Sequence, residues 1–435
     1  MTARLRWLAW VPDIGPLRES PGFRYLYLAR TVSLLSISVL AVAVAWQVYE
    51  LSGSSMHVAG VSVGLALGSL LGLLWGGSWA DRADRRRIMI GGRTAYVGVV
   101  CLLWVNSVSA EPALATIYLA TLLSGLTSGI SAPALMAALP RLVPAHQLAA
   151  VGALNALAME LGRLTGPLIA GVLLARSSLA MCYGLVLVGA VLVPLLLALI
   201  PRDALRREEE VPRAGNDSVI QQWREGLRYV TRNRVIGCLL VLDLIAMLCV
   251  SIHVLVPQLG ESVLEGGPEM VGYLYAAPAV GAMLVAVTSG WTRTLARPGR
   301  LLIVWTVVWG VAVVLAGVAI QGAAHHSEWA PWLVLAFFVI TGMADTATDI
   351  VRGALLQVHT PDAFRGRVSA LWLLQGYVGP ALGGMQLAGL ASVLSPGRAL
   401  MLGGGLCAGA VAVVAGGRKS VMHKALWALG GTSGS

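Results

Sequence analysis

Gly77-Ser-Trp-Ala-Asp81-Arg82-Ala-Asp84-Arg85-Arg86-Arg87 lies between two long apolar runs, a dense knot of charge in a 435-residue chain that is 57% hydrophobic and only 12% charged. Water-soluble domains are near half apolar and about a quarter charged, so this chain carries more apolar surface than a globule could bury. Lipid is therefore its solvent, and the knot reads as a short cytoplasmic turn between two membrane helices.

A helix needs roughly 20 apolar residues to cross about 30 Å of hydrocarbon. Working outward from the turn on that criterion gives twelve expected spans, at 24–49, 57–80, 88–108, 113–137, 148–174, 179–200, 235–257, 269–291, 301–320, 330–356, 367–393 and 398–416. Basic flanks are retained on the cytoplasmic side of a membrane. With both termini inside, almost all of the 31 Lys and Arg fall in cytoplasmic segments, Arg30, Arg163 and Arg352 fall within spans, and Arg176 and Arg398 fall outside. The net charge of +10 is then membrane topology with anionic lipid as its partner, and it needs no nucleic acid. The expected organisation is a cytoplasmic arm over 1–23, a six-helix bundle over 24–200, a cytoplasmic linker over 201–234, a second six-helix bundle over 235–417 and a cytoplasmic tail over 418–435. The arm has Pro12 and Pro16 but no apolar stretch ending in a small-residue cleavage site, so it does not read as a cleavable signal.

The halves echo one another. Gly166-Pro167-Leu-Ile-Ala170-Gly171 in span 5 matches Gly379-Pro380-Ala-Leu-Gly383-Gly384 in span 11 at an offset of 213 residues, and Gly77 and Gly290 stand at the same offset. Such an echo is what two related bundles leave behind. Span 2 carries Gly64, Gly68, Gly72 and Gly76 at a four-residue period, one flat face on which a neighbouring backbone can approach, either as static packing or as a sliding interface.

The spacing Gly77-x-x-x-Asp81-Arg82-x-x-Arg85-Arg86 resembles the loop joining helices 2 and 3 in the major facilitator superfamily of secondary transporters. It departs from that pattern at Asp84, where a glycine is usual. The resemblance implies an all-α membrane protein of twelve helices in two pseudo-symmetric bundles, with a gating role for Gly77, Asp81, Arg82, Arg85 and Arg86. Gly162-x-x-x-Gly166-Pro167-x-x-Ala170-Gly171 resembles the span 5 motif that marks exporters and antiporters of that superfamily, with Ala170 replacing a glycine. Proline removes a backbone donor and glycine relaxes packing, so Gly162, Gly166, Pro167, Gly171, Gly379 and Pro380 are expected to permit bending. Export is favoured over uptake.

An ionisable side chain inside hydrocarbon costs several kcal/mol unless it faces a bundle interior or a wet path. Those expected within spans are Arg30, Glu160, Arg163, Asp243, His253, Asp345, Asp349 and Arg352, with none on spans 3, 6, 9 or 12. In the superfamily those four spans are peripheral, while 1, 4, 7 and 10 line the central cavity. Glu160 with Arg163, and Asp349 with Arg352, stand three apart on one helical face and can neutralise each other. Asp243 and Asp345 have no opposite charge within a turn on their own spans. A carboxylate shielded from water and from cations is the kind of group that carries a proton, so these two, then Glu160, are the expected protonation sites. Span 4 lacks the Arg-x-x-Gln-Gly pattern of some proton-coupled drug exporters, and proton antiport is implied by the wider resemblance alone.

Ala41-Val-Ala-Val-Ala-Trp46-Gln47-Val, Glu111-Pro-Ala-Leu-Ala-Thr-Ile-Tyr118-Leu, Gly272-Tyr273-Leu-Tyr275-Ala-Ala-Pro278 and Thr360-Pro-Asp-Ala-Phe-Arg-Gly366-Arg367-Val, in that order, resemble bacterial siderophore exporters of the enterobactin-exporting kind. The resemblance implies efflux of an iron-free siderophore across the bacterial inner membrane. Arg30, Arg163, Arg352 and His253 would supply positive charge to such a solute, while Trp46, Tyr273, Tyr275, Trp372 and Tyr377 would offer flat faces, although aromatics near span ends also anchor helices at the interface. A multidrug or macrolide exporter of the same fold remains an alternative, as does a non-transporting receptor or scaffold. An enzyme is not expected, since the chain holds no phosphate-binding glycine loop or HExxH motif. Cys101, Cys182, Cys238, Cys249 and Cys407 sit within spans at unrelated spacings and read as packing residues. His325, His326 and Glu328 read as solvated in an outer loop, so neither metal nor cofactor is expected. The expected partners are a small-molecule substrate, protons and lipid, and the chain is expected to be a monomer.

Overall fold

Hydrocarbon offers no partner for a peptide N–H or C=O, so a spanning segment must satisfy its own backbone. The computed structural model describes residues 13–80, 85–138, 142–201, 219–288, 298–323 and 328–417, and among them there are helices and no strand. The long helices are α1 (Pro21–Ser52), α2 (Ser55–Ala80), α3 (Arg85–Val108), α4 (Leu114–Ala138), α5 (Leu148–Arg176), α6 (Leu179–Ala198), α7 (Arg234–Cys249), α8 (Gly267–Val287), α9 (Pro298–Ala323), α10 (Ala330–His359), α11 (Asp362–Val393) and α12 (Pro396–Gly417). Eleven segments are long and apolar enough to cross a membrane, and α11 is not among them. It has the length, at 32 residues, but Gln375, Gly376, Pro380, Gly383, Gly384 and Gln386 dilute its apolar content.

The expected span 7 is not one continuous helix. The Asn233 side chain caps α7 by accepting from the N–H groups of Val235 and Ile236 at 3.1 and 3.3 Å, but the α-helix stops at Cys249. Ile252–Leu255 continue as a 3-10 turn, Val256–Gln258 as a single α turn and Leu259–Val263 as a π turn. Pro257 has no N–H to give the His253 carbonyl. That oxygen accepts from the Val256 N–H of the 3-10 turn and from the Tyr275 hydroxyl at 2.8 Å.

The chain groups into two compact units, Met1–Val44 with Leu67–Asn216, and Ala45–Ala66 with Asp217–Ser435. Residues 45–66, expected in the first bundle, thus cluster with the second half. Side chains show why. The Tyr49 and Ser262 hydroxyls are 2.8 Å apart, and Ser55 Oγ donates to Gln258 Oε1 at 2.8 Å. In the first unit, Phe23, Leu26 and Ala29 of α1 pack with Ile88, Met89, Leu135 and Leu197 into a buried apolar core.

Two helix crossings in different units share one geometry. In the first unit a Cβ on Gly68 would stand 2.0 Å from the Leu122 carbonyl oxygen, and one on Gly129 would stand 2.4 Å from that of Ser69. In the second, a Cβ on Gly281 would stand 1.9 Å from the Val339 oxygen, and one on Gly342 equally close to that of Pro278. Gly281 and Gly342 lie 213 residues after Gly68 and Gly129, the offset of the sequence repeat. The α2–α4 contact is therefore repeated as α8–α10, each possible only because both partners lack a side chain.

The described part of the expected linker is the helix Val219–Arg232. It lies along α11, where Glu225 pairs with Arg367 at 2.9 Å and the Tyr229 and Phe364 rings stack with centroids 4.2 Å apart. Its Arg224, Arg228 and Arg232, four residues apart, are exposed. Residues 1–12 of the arm, 202–218 of the linker and the tail over 418–435 lie outside the described residues.

Overpacking a close-packed site typically costs about 1–3 kcal/mol, and a methyl this near a carbonyl oxygen forces two helices apart. Gly281→Ala and Gly342→Ala should each lower the thermal unfolding midpoint in detergent by several degrees. Gly91→Ala and Gly98→Ala, where nothing lies within 4 Å of the added carbon, should leave it unchanged or raise it.

Candidate functional site

The most deeply buried charges of the second unit meet at one point. Asp243 on α7 is 1% exposed and Arg352 on α10 is 2% exposed, and Arg352 Nη1 stands 2.7 Å from Asp243 Oδ1. The same nitrogen is 2.7 Å from Asp349 Oδ1, one turn earlier on α10, although Asp349 is 51% exposed. From α11, Gln375 Nε2 donates to Asp243 Oδ2 at 2.8 Å and to the Leu240 carbonyl at 3.0 Å. The Trp372 side chain lies beside Asp243. Three helices therefore converge on one carboxylate.

This arrangement corrects two expectations. Asp243 does lack a cation on its own helix, but it is not a lone carboxylate, because α10 delivers Arg352 to it. Arg352 and Asp349 do not simply neutralise each other either, since the one guanidinium is shared between two carboxylates. With both ionised the trio carries a net charge of −1, and a guanidinium between two acids favours whichever is deprotonated. One acid faces the dry interior and the other a more open surface. Asp345, one turn before Asp349 on the same face of α10, is half-buried.

A cavity of about 330 Å³ is lined by Gly353, Gln357, Thr360, Arg365, Ser369 and Trp372 among others. It runs from the end of α10 and the start of α11 to the indole beside Asp243. Trp372, expected to offer a stacking face, lines this cavity.

In the first unit, Glu160 and Arg163 on α5 pair at 3.4 Å, with Glu160 22% and Arg163 57% exposed. The expectation that no ionisable residue falls on spans 3, 6, 9 or 12 is wrong at Arg93, which sits on α3 and is buried at 9% exposure. It already falls inside the expected bounds of span 3, 88–108, but so soon after Arg85, Arg86 and Arg87 that it reads with the basic turn. The helix beginning at Arg85 instead carries it into the bundle. Arg93 Nη1 donates to Ser33 Oγ on α1 at 2.9 Å, near the equally buried Arg30.

The remaining expected residues are dispersed. His253 and Tyr275 stack with centroids 5.9 Å apart and rings within 6° of parallel. Trp46 is buried in α1, Tyr273 on α8 is 44% exposed, and Tyr377 on α11 is half-buried. On α5, Gly162 faces Leu34 and Gly166 faces Ser38 of α1, while Pro167 lies inside the helix and Gly171 is buried. In the second unit Gly379 faces Met247 of α7, and Pro380 lies inside α11. Arg86 donates to the Ala198 carbonyl at 2.7 Å. Asp81 and Arg82 lie outside the described residues, and so do the surroundings of Gly77 and Arg85. Gly290, His325 and His326 also lie outside them. Among the described residues no group of three or more His, Cys, Asp or Glu could hold a metal ion, and the five cysteines are free thiols.

Residues 12–424 match the family described as transmembrane secretion effectors. The enterobactin exporter EntS of Shigella boydii serotype 18 is 32% identical over 391 residues, covering 89% of each chain. EntS of Escherichia coli O139:H28 shows the same identity over the same length and shares. Among solved structures, a POT family transporter in complex with 5-aminolevulinic acid superposes with a TM-score of 0.74 at 14% identity, covering 94% of this chain and 98% of the other. A bacterial homologue of the iron transporter ferroportin, in an inward-facing state, gives 0.67 at 16% identity, covering 93% and 98%. These structural likenesses establish the fold, and the match along nearly the whole sequence goes further. The chain is a multi-pass membrane protein, related to transporters rather than enzymes, and it belongs to the transmembrane secretion effector family of major facilitator transporters.

Proposed function

We propose that this protein exports an iron-free siderophore, enterobactin-like in chemistry, from the cytoplasm across a bacterial inner membrane in exchange for protons. The observation that carries the coupling half of this reading is the trio Asp243–Arg352–Asp349, two carboxylates of unequal exposure sharing one buried guanidinium. The solute half is supported by the 32% identity to enterobactin exporters. Twelve spans, with α11 as the eleventh and both termini cytoplasmic, accommodate the helices and the distribution of basic residues.

A proton entering at Asp349 releases Arg352 to hold Asp243 alone. Passing the proton to Asp243 loosens the tie between α7 and α10 and returns the guanidinium to Asp349. A move of that kind joins protonation to helix displacement, which alternating access requires. The cavity beside Trp372 would give that proton a wet exit toward the α10–α11 end, the cytoplasmic side in this topology. At the opposite end of α1, Tyr49 and Ser262 touch as repeat mates, 213 residues apart, and would part when solute leaves. Glu160 and Asp345 are further protonation candidates, and His253 and Tyr273 further solute contacts. The protein would work as a monomer.

Inside-out vesicles with an acid interior should accumulate enterobactin in proportion to the pH gradient. Accumulation of a macrolide but not of enterobactin would instead assign drug efflux, and no gradient-dependent flux of either would indicate a scaffold. Asp243→Asn keeps the shape and the Gln375 contact but removes the charge, so it should fold and lose coupled flux by at least roughly tenfold, about 1.4 kcal/mol in the barrier.

Removing one partner of a buried ion pair typically costs about 3–5 kcal/mol, because it strands the other charge. Arg352→Met should therefore lower the thermal midpoint markedly. Adding Asp243→Asn and Asp349→Asn to the same chain should restore much of that loss, a rescue that differential scanning fluorimetry in detergent would read directly.

A further inference from the structure

Arg30 and Arg93 pose the opposite problem to Arg352. They are 8% and 9% exposed, on α1 and α3 of the first unit. Each lies eight or nine residues beyond its helix start, about 12–14 Å along the axis, and the two are close enough to repel. Arg352 answers its burial with two carboxylates, but among the described residues neither Arg30 nor Arg93 has an acid within ion-pair distance. Arg93 makes one neutral hydrogen bond, to Ser33 Oγ. The buried Nε of Arg30 has no acceptor, and neither does the buried hydroxyl of Tyr96, one turn beyond Arg93 and electrostatically coupled to it.

Two adjacent buried cations without a counter-charge are costly in any membrane protein. Every group in the cluster has a hydrogen to give, and the guanidinium fork fits a carboxylate or phosphate through paired hydrogen bonds. We propose that Arg30, Arg93, Ser33 and Tyr96 form a seat for an oxyanion, the acidic group of the transported solute. This deepens the export reading and rests on it for the source of the anion. A phospholipid phosphate has the same chemistry and is the other possible source.

The purified full-length protein in neutral detergent should be titrated with salicylate, an aromatic carboxylate, and separately with inorganic phosphate, at constant ionic strength. Thermal midpoint and tryptophan fluorescence are the readouts. A ligand that binds only the folded state raises the midpoint saturably. Arg93→Gln and Arg30→Gln should each raise the half-effect concentration by roughly tenfold, as expected for loss of a charged hydrogen bond. Tyr96→Phe, which keeps the ring and its packing, should raise it severalfold and serves as the test if the arginine variants do not fold. In nanodiscs, a gain in midpoint on adding phosphatidylglycerol to phosphatidylcholine that Arg93→Gln abolishes would assign the seat to lipid and overturn the solute assignment.

Arginine-dependent binding of salicylate supports the seat even if vesicles never accumulate enterobactin. Absence of a saturable anion effect, or equal effects in wild type and all three variants, overturns it even if enterobactin is exported.

Discussion

The Asp243–Arg352 pair is the constraint around which the second unit is organised. A guanidinium at 2% exposure survives in an apolar bundle only because α7 and α10 each bring it a carboxylate and α11 fixes one of those with Gln375. Every helix in this arrangement is held by a polar tie rather than by apolar contact alone. In lipid that matters more than in water, since tails compete with apolar side chains for the same surfaces. In the export reading proposed above, a proton on either acid would loosen one of these ties.

Against these responsive contacts stand the rigid ones. The crossings of α2 with α4 and of α8 with α10 place backbone against backbone at paired glycines, and their recurrence at the repeat offset makes them the conserved element of architecture shared by the halves. They hold helices together, whereas the segment beyond Cys249 breaks into 3-10, α and π turns. Dispersion packing at glycine faces would then be the scaffold, and shared charge at the trio the switch, of the export cycle proposed above.

Much of the fold was legible from the chain. Long apolar runs place helices because hydrocarbon permits little else, and the Gly166-Pro167 and Gly379-Pro380 echo disclosed the repeat that Gly68 and Gly281 display in three dimensions. The site was legible only in part. Intramembrane charge pointed to Asp243, Arg352 and Asp349 one by one, yet which of them meet depends on how helices 109 residues apart pack, and local spacing holds no such information. Gln375 was missed because a neutral amide raises no alarm in a hydropathy reading. Arg93 was missed although it falls within the expected span 88–108, because it reads with the basic run at Arg85–Arg87. The apolar deficit of α11 reflects the same fact from the other side, since a helix that serves a polar site cannot be uniformly greasy.

The central claim is that protons and solute move in opposite directions through a protein whose charge trio links them. Vesicles holding a trapped pH indicator and reconstituted with the protein test it most directly when enterobactin is added outside with no imposed gradient. The lumen should become alkaline as solute enters and protons leave, and Asp243→Asn should abolish this proton movement. Enterobactin entry with no change in luminal pH, or an unaltered pH response in the variant, would contradict it.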